Sequence, residues 1–140
     1  MIDIENDVFT AVATALRTQY SGIYVAGDNI AVPASFPAVT IVESDNRIYE
    51  RMRTTKIENA AEVMYTVNVY SNKASGKKAE AKAIAATIDS IMELGGFTRT
   101  LKEQIPNERD SSIYRLVMRY EGIVGPGATA GTYLVYQNNT

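Results

Sequence analysis

Residues 61–70, Ala-Glu-Val-Met-Tyr-Thr-Val-Asn-Val-Tyr, alternate with a period of two. Val63, Tyr65, Val67 and Val69 fall on one side, and Met64, Thr66, Asn68 and Tyr70 on the other. Successive side chains of a strand point to opposite faces, so this run specifies a β-strand whose first set lies on a core. The second set is amphipathic enough to face water or a partner. A strand of this kind is not stable alone, so it commits the chain to a sheet with at least one covered face.

The rest of the sequence supplies that cover. Residues 3–20 read as a first helix, with Val8, Val12 and Leu16 at intervals of four and Phe9 and Tyr20 beside them. Asp3, Glu5 and Asp7 lie at its start, where negative charge complements the helix dipole, and Ser21-Gly22 is a stop signal. Residues 76–94 read as a second helix, with Ala81, Ile84, Ala85, Ile88, Ile91 and Met92 on one apolar face. Ser75 is its expected N-cap, and Gly95-Gly96 ends it.

Further strands are expected at 38–43, 97–105 and 112–124, with a short extended piece at Ile23-Tyr24-Val25. In the last long strand Tyr114, Leu116, Met118 and Tyr120 share one face, and Arg115, Val117, Arg119 and Glu121 share the other. Ala26-Gly27-Asp28-Asn29, Ser44-Asp45-Asn46 and Ser71–Gly76 carry turn chemistry, and 106–111 is a polar loop. The order is α-β-β-β-α-β-β. It implies an α+β two-layer sandwich: a mainly antiparallel sheet of about four to five strands with two helices on one face. One domain is expected over 1–124. A linker of small residues follows at 125–131, then the β-prone tail Thr132-Tyr133-Leu134-Val135-Tyr136 and the polar end 137–140.

Composition narrows the chemistry. The 140 residues include no cysteine and no histidine. Disulfides, thiolate nucleophiles and cysteine zinc sites are excluded, and so is serine–histidine or cysteine–histidine catalysis. No phosphate-binding loop survives inspection: Lys78 follows Gly76-Lys77 where serine or threonine is required, and Ser71 stands where the first glycine belongs. Glu43 and Asp45 are a carboxylate pair on paper, but a solvated turn is the simpler reading. No cofactor or metal is expected. Fourteen basic residues against sixteen acidic ones give a net charge of −2, unlike a protein whose main work is gripping nucleic acid. No apolar run approaches a membrane span, and the acidic start Met-Ile-Asp-Ile-Glu-Asn-Asp-Val does not read as a signal peptide.

Three features invite a binding role. Lys73, Lys77, Lys78 and Lys82 cluster at the start of the second helix, against its dipole. They are either a solvated helix end or a contact for an acidic partner or passing DNA. Arg47, Arg51 and Arg53 lie in the polar stretch 47–57, which is either a solvated loop or an arm that orders against a neighbouring subunit. Tyr133, Leu134 and Tyr136 form an apolar, β-prone tail. It is either a disordered end or a strand added to a sheet edge of its own or an adjacent subunit, and docking on a neighbour is the expectation taken forward.

Several segments in order complete the picture. They are Phe36-Pro37-Ala38-Val39-Thr40-Ile41-Val42-Glu43; Glu58-Asn59-Ala60-Ala61; Val67-Asn68-Val69-Tyr70-Ser71-Asn72-Lys73; Gly76-Lys77-Lys78-Ala79-Glu80-Ala81; Gly96-Phe97-Thr98-Arg99; Pro106-Asn107; and Tyr114-Arg115-Leu116 running into Arg119-Tyr120-Glu121. Over residues 4–124 this pattern resembles the tail terminator, or tail completion, proteins of long-tailed bacteriophages and prophages. The resemblance implies a structural, non-enzymatic virion protein, assembled in the bacterial host cytoplasm. It would form a hexameric ring on the tail tube protein, stop tube growth and present a surface to a head-completion or connector protein. DNA would pass its central hole with only transient contact, and no membrane would be involved. The alternatives are another neck component or a small ligand-binding α+β domain. Charge is uneven along the chain: residues 1–45 carry six acids and one base, and residues 46–82 carry eight bases and four acids. Opposite signs on separate segments suit a head-to-tail ring.

Overall fold

The two periodicities meet in one layer of contact. In the computed structural model, residues 1–30, 33–49, 60–106, 110–126 and 133–136 are described. The elements run α1 (Glu5–Gln19), β1 (Tyr24–Ala26), β2 (Ala38–Ile48), β3 (Ala61–Ser71), α2 (Lys77–Leu94), β4 (Thr98–Gln104), β5 (Tyr114–Pro126) and β6 (Tyr133–Tyr136). The sheet order is β1-β2-β3-β5-β4, with β6 also paired to β5. The fold is α+β, as the element order implies.

The alternation of β3 is realised as read. Val63, Tyr65, Val67 and Val69 are buried together with Tyr114, Leu116, Met118 and Tyr120 of β5. Over them lie Val8, Val12, Ala13 and Leu16 of α1 and Ala81, Ile84, Ala85, Ile88 and Met92 of α2. Both helices therefore cover the same face. The Tyr20 and Thr87 hydroxyls share a hydrogen bond of 3.1 Å that links the end of α1 to α2.

The sheet is mixed. β1 runs parallel to β2, and every other pairing is antiparallel. Eleven residues, 27–37, separate β1 from β2, close to the shortest connection that joins a parallel pair.

Three local expectations are corrected. Ser44-Asp45-Asn46 is not a turn: β2 continues through it to Ile48, with a bulge between Glu43 and Asp45. The ladder to β3 outweighs local turn chemistry, and the bulge absorbs the one residue that does not fit. Ser75 is not the N-cap. Gly76 takes that position at φ 90°, a left-handed conformation that glycine adopts without a Cβ clash. Nor does the second set on β3 all face water: Asn68 and Tyr70 are buried, and Tyr70 joins Ala38 and Ile113 in a second small cluster with Tyr24 and Phe36 against it. The cover comes from the chain entering β2 and β5, which pattern along β3 alone does not reveal.

Candidate assembly surfaces

The residues singled out in the sequence fall at three places on this frame. Arg47 stands near the end of β2, opposite Glu62 of β3. Its Nε lies 3.6 Å from both an Asp45 and a Glu62 carboxylate oxygen, and its side chain is 60% exposed. Exposed pairs at that distance contribute little to stability, about 0–1 kcal/mol. Arg51 and Arg53 lie outside the described residues.

The lysine cluster surrounds the start of α2. Lys73, Lys78 and Lys82 are exposed, while Lys77 donates from Nζ to the Ser111 carbonyl at 3.0 Å. That bond ties the helix end to the loop before β5. The neighbouring Glu80 carboxylate accepts from Ser71 Oγ at 2.7 Å. Three of the four lysines are thus exposed where β3 ends, beside its Ser71–Tyr114 pair, with no ion pair among the described residues.

The acids collect elsewhere. Glu5 Oε2 accepts the Glu43 backbone N–H at 2.7 Å, which caps the open edge of β2 with the first turn of α1. Asn46 Nδ2 donates to the Ile2 carbonyl at 2.8 Å and to Glu43 Oε1 at 3.2 Å. Tyr65, fully buried, donates its hydroxyl to the same Glu43 oxygen at 3.4 Å. Glu43 and Asp45 do not converge as an acid–base pair: Glu43 is registered with Tyr65 on the helix side, and Asp45 with Met64 on the other face. Seven residues of β3, about 23 Å at the usual rise, separate this acidic end from the lysine end.

Burial pushes the Glu43 carboxyl above its ordinary value of 4.5, and repulsion from Glu5 and Asp3 adds to this, against the hydrogen bonds from Asn46 and Tyr65. A carboxyl raised in the folded state contributes stability below its unfolded value and loses it as pH rises through the folded one. Glu43→Gln should therefore gain stability relative to the parent as pH is raised from 4 to 7, and the gap should close again below pH 4.5. Parallel urea titrations at the two ends of that range check it.

A second tyrosine–carboxylate link holds β5 to α2. Tyr120, 1% exposed, donates to Asp89 Oδ1 at 2.8 Å, and Arg99 Nε lies 3.5 Å from the same oxygen. Burial and Asp89 both push the Tyr120 phenol upward. Tyr120→Phe removes the bond to a charged acceptor while keeping the ring, so a loss of about 1.5–3 kcal/mol is expected in chemical denaturation.

The tail forms β6. Tyr133, Leu134 and Tyr136 pair in register with Pro126, Gly125 and Ile123 of β5 in the same chain. β4 occupies β5 from Leu116 to Glu121, and β6 takes up beyond it from Ile123. At the junction Val135 packs on the core between two glycines. A Cβ on Gly96 would stand 3.2 Å from Val135, and one on Gly122 would stand 3.1 Å from Val135 Cγ1 and 2.7 Å from Phe97 Cδ1. Sequence reading passed over this socket. Its one signal was Gly122 itself, since a glycine inside a strand marks a close approach.

Among the described residues, none of these places gathers a catalytic set. They are a polar strand end, two charged ends and an edge strand in a socket. The family described as Tail completion protein gp17 matches residues 7–125. The chain belongs to this family. As a tail completion protein it is a structural component of a bacteriophage tail, and so of the virion. The match ends within β5, so β6, with its socket residue Val135, lies beyond the part matched by the tail completion family. A search of curated proteins finds no match. Among the described residues no helix is long and apolar enough to cross a membrane.

Proposed function

We propose that this tail completion protein assembles as a hexameric ring on the end of the tail tube. It stops tube polymerisation there and offers the head side a surface for joining, with DNA passing through the hole. The family match over residues 7–125 is the observation that carries the reading. The charge layout supports it. Exposed lysines lie at one end of β3, and Asp3, Glu5 and Asp45, with Arg47 beside them, lie toward the other end, so one subunit's lysine end meets the next subunit's acid-rich end in a closed heterologous ring. In this reading residues 1–124 build the ring, and Arg47, Arg51 and Arg53 form an arm at a subunit or tube interface. The lysine cluster takes an acidic neighbour, and DNA touches the ring only in passing.

A phage lacking the gene tests the capping role. Tubes longer than the normal tail, together with heads that stay unjoined, are the expected result. Tubes that still stop at the normal length would overturn it.

A further inference from the structure

A sheet edge offers unpaired N–H and C=O groups to any extended chain, and each edge of this sheet is closed in a different way. β1 is only three residues long. Beyond Thr40, where β1 stops, the start of the chain covers β2. Ile2 and Ile4 are buried there, Asn46 Nδ2 donates to the Ile2 carbonyl, and Glu5 accepts the Glu43 N–H. β4 is exposed along most of its length and carries Arg99, Lys102 and Glu103, charges that discourage a second strand. The stretch Ile123–Pro126 of β5 has none of these devices. β4 begins at Thr98, opposite Glu121, and Ile-Val-Gly-Pro beyond that pair holds no charged side chain. β6 covers this stretch instead. Residues 1–6 and 126–140 lie outside the family match, so the covers of β2 and β5 both come from chain that flanks the matched domain.

We propose that Ile123–Pro126 and the socket of Gly96, Phe97 and Gly122 form a binding site for an extended apolar segment, and that the chain's own β6 is its plug. The ladder to Tyr133–Tyr136 recognises extended backbone, and the socket selects the side chain. A Cβ on Gly96 would stand 3.2 Å from Val135 and one on Gly122 3.1 Å, so a β-branched side chain seats only because both positions are glycine. Val135 packs on the core through this opening. Six residues, 127–132, join the plug to its edge. A tether that short holds a segment at an effective concentration in about the millimolar range. Closure within the chain therefore outcompetes a strand from any other molecule present at lower concentration. Uncovered, the same edge would pair with strands of other chains, the hazard that charge averts on β4. The plug acts within one subunit, with or without a ring.

A labelled peptide of residues 132–137, added to the full-length chain, tests this. Val135→Asp puts a charge where the socket is apolar and so frees the edge. Val135→Gly removes the side chain and is the milder variant. Far-ultraviolet circular dichroism first shows that the variants keep the parent's fold. Val135→Asp should then bind the peptide in equimolar amount, at least about tenfold more tightly than the parent, with Val135→Gly between the two. A peptide carrying the same Val135→Asp change should not bind. Adding Gly122→Ala to Val135→Gly should abolish uptake, because the new methyl fills the socket. A parent that takes up the peptide as readily as the variants would show that β6 does not close the edge. Folded variants that take up none would show that the edge accepts no strand. Loss of fold in both variants would make β6 part of the core rather than a plug. Each of these three results would overturn the proposal.

Discussion

Ile88→Ala is expected to lower the unfolding free energy by about 2–5 kcal/mol, with the urea midpoint moved and the slope unchanged. Ile88 is completely buried at the centre of the apolar face of α2. That helix is the element packed over β3, β5 and β4 together. Removing its side chain beyond Cβ leaves a void that the sheet below is too tightly laddered to collapse into, so the lost contacts are not regained. Total stability for a chain of this size is about 5–15 kcal/mol, so the change is a large share of it. Leu94 on the same helix is the control. It is 86% exposed, and Leu94→Ala should stay within about 0.5 kcal/mol of the parent. Equal losses at the two positions would contradict the assignment of the buried face.

Gly122→Ala is expected to cost about 1–3 kcal/mol, the range for overpacking a filled site. The new methyl would meet Phe97 at 2.7 and 2.9 Å and Val135 at 3.1 Å. Phe97 is not free to turn away. It is 7% exposed and sits edge-on to buried Tyr65, with ring centres 5.5 Å apart. The easier relief is for β6 to leave its place, since four residues of ladder hold it. Limited proteolysis should therefore remove the C-terminal segment faster from Gly122→Ala than from the parent. Gly27→Ala is the comparison, because its nearest neighbour would be 3.6 Å away, an ordinary contact. A Gly122→Ala protein as stable and as protease-resistant as the parent would show that no socket grips the tail.

The parts of this fold legible in the sequence are those whose signal is periodic and local. The alternation at Val63, Tyr65, Val67 and Val69, the stripe from Ala81 to Met92, and the face from Tyr114 to Tyr120 each name a type and a buried side. Two helical stripes and one inward sheet face leave few ways to share a core, which is why the layered architecture followed. What was not legible depends on partners distant in the chain. Ser44-Asp45-Asn46 has turn chemistry, yet the ladder to Val63 and Met64 holds it extended. Glu43 looked like a solvated acid, yet it takes hydrogen bonds from Asn46 and Tyr65 while its backbone N–H meets Glu5. Tyr70 reads as outward along β3, yet Ala38 and Ile113, with Tyr24 and Phe36, bury it. The candidate surfaces divide in the same way. Arg47 and the lysines were visible as charges, but their segregation to opposite ends of β3 needed the register. The socket needed Gly96, Gly122 and Val135 brought together from three separate segments.

Ring assembly is the centre of this account, and the mass of the native particle tests it most directly. The purified protein, alone and mixed with its tail tube protein, is measured by native mass spectrometry. Six copies of a 15.3 kDa chain, formed in solution or on the tube, are the predicted result. A monomer that neither self-associates nor binds the tube at any concentration tested would contradict it.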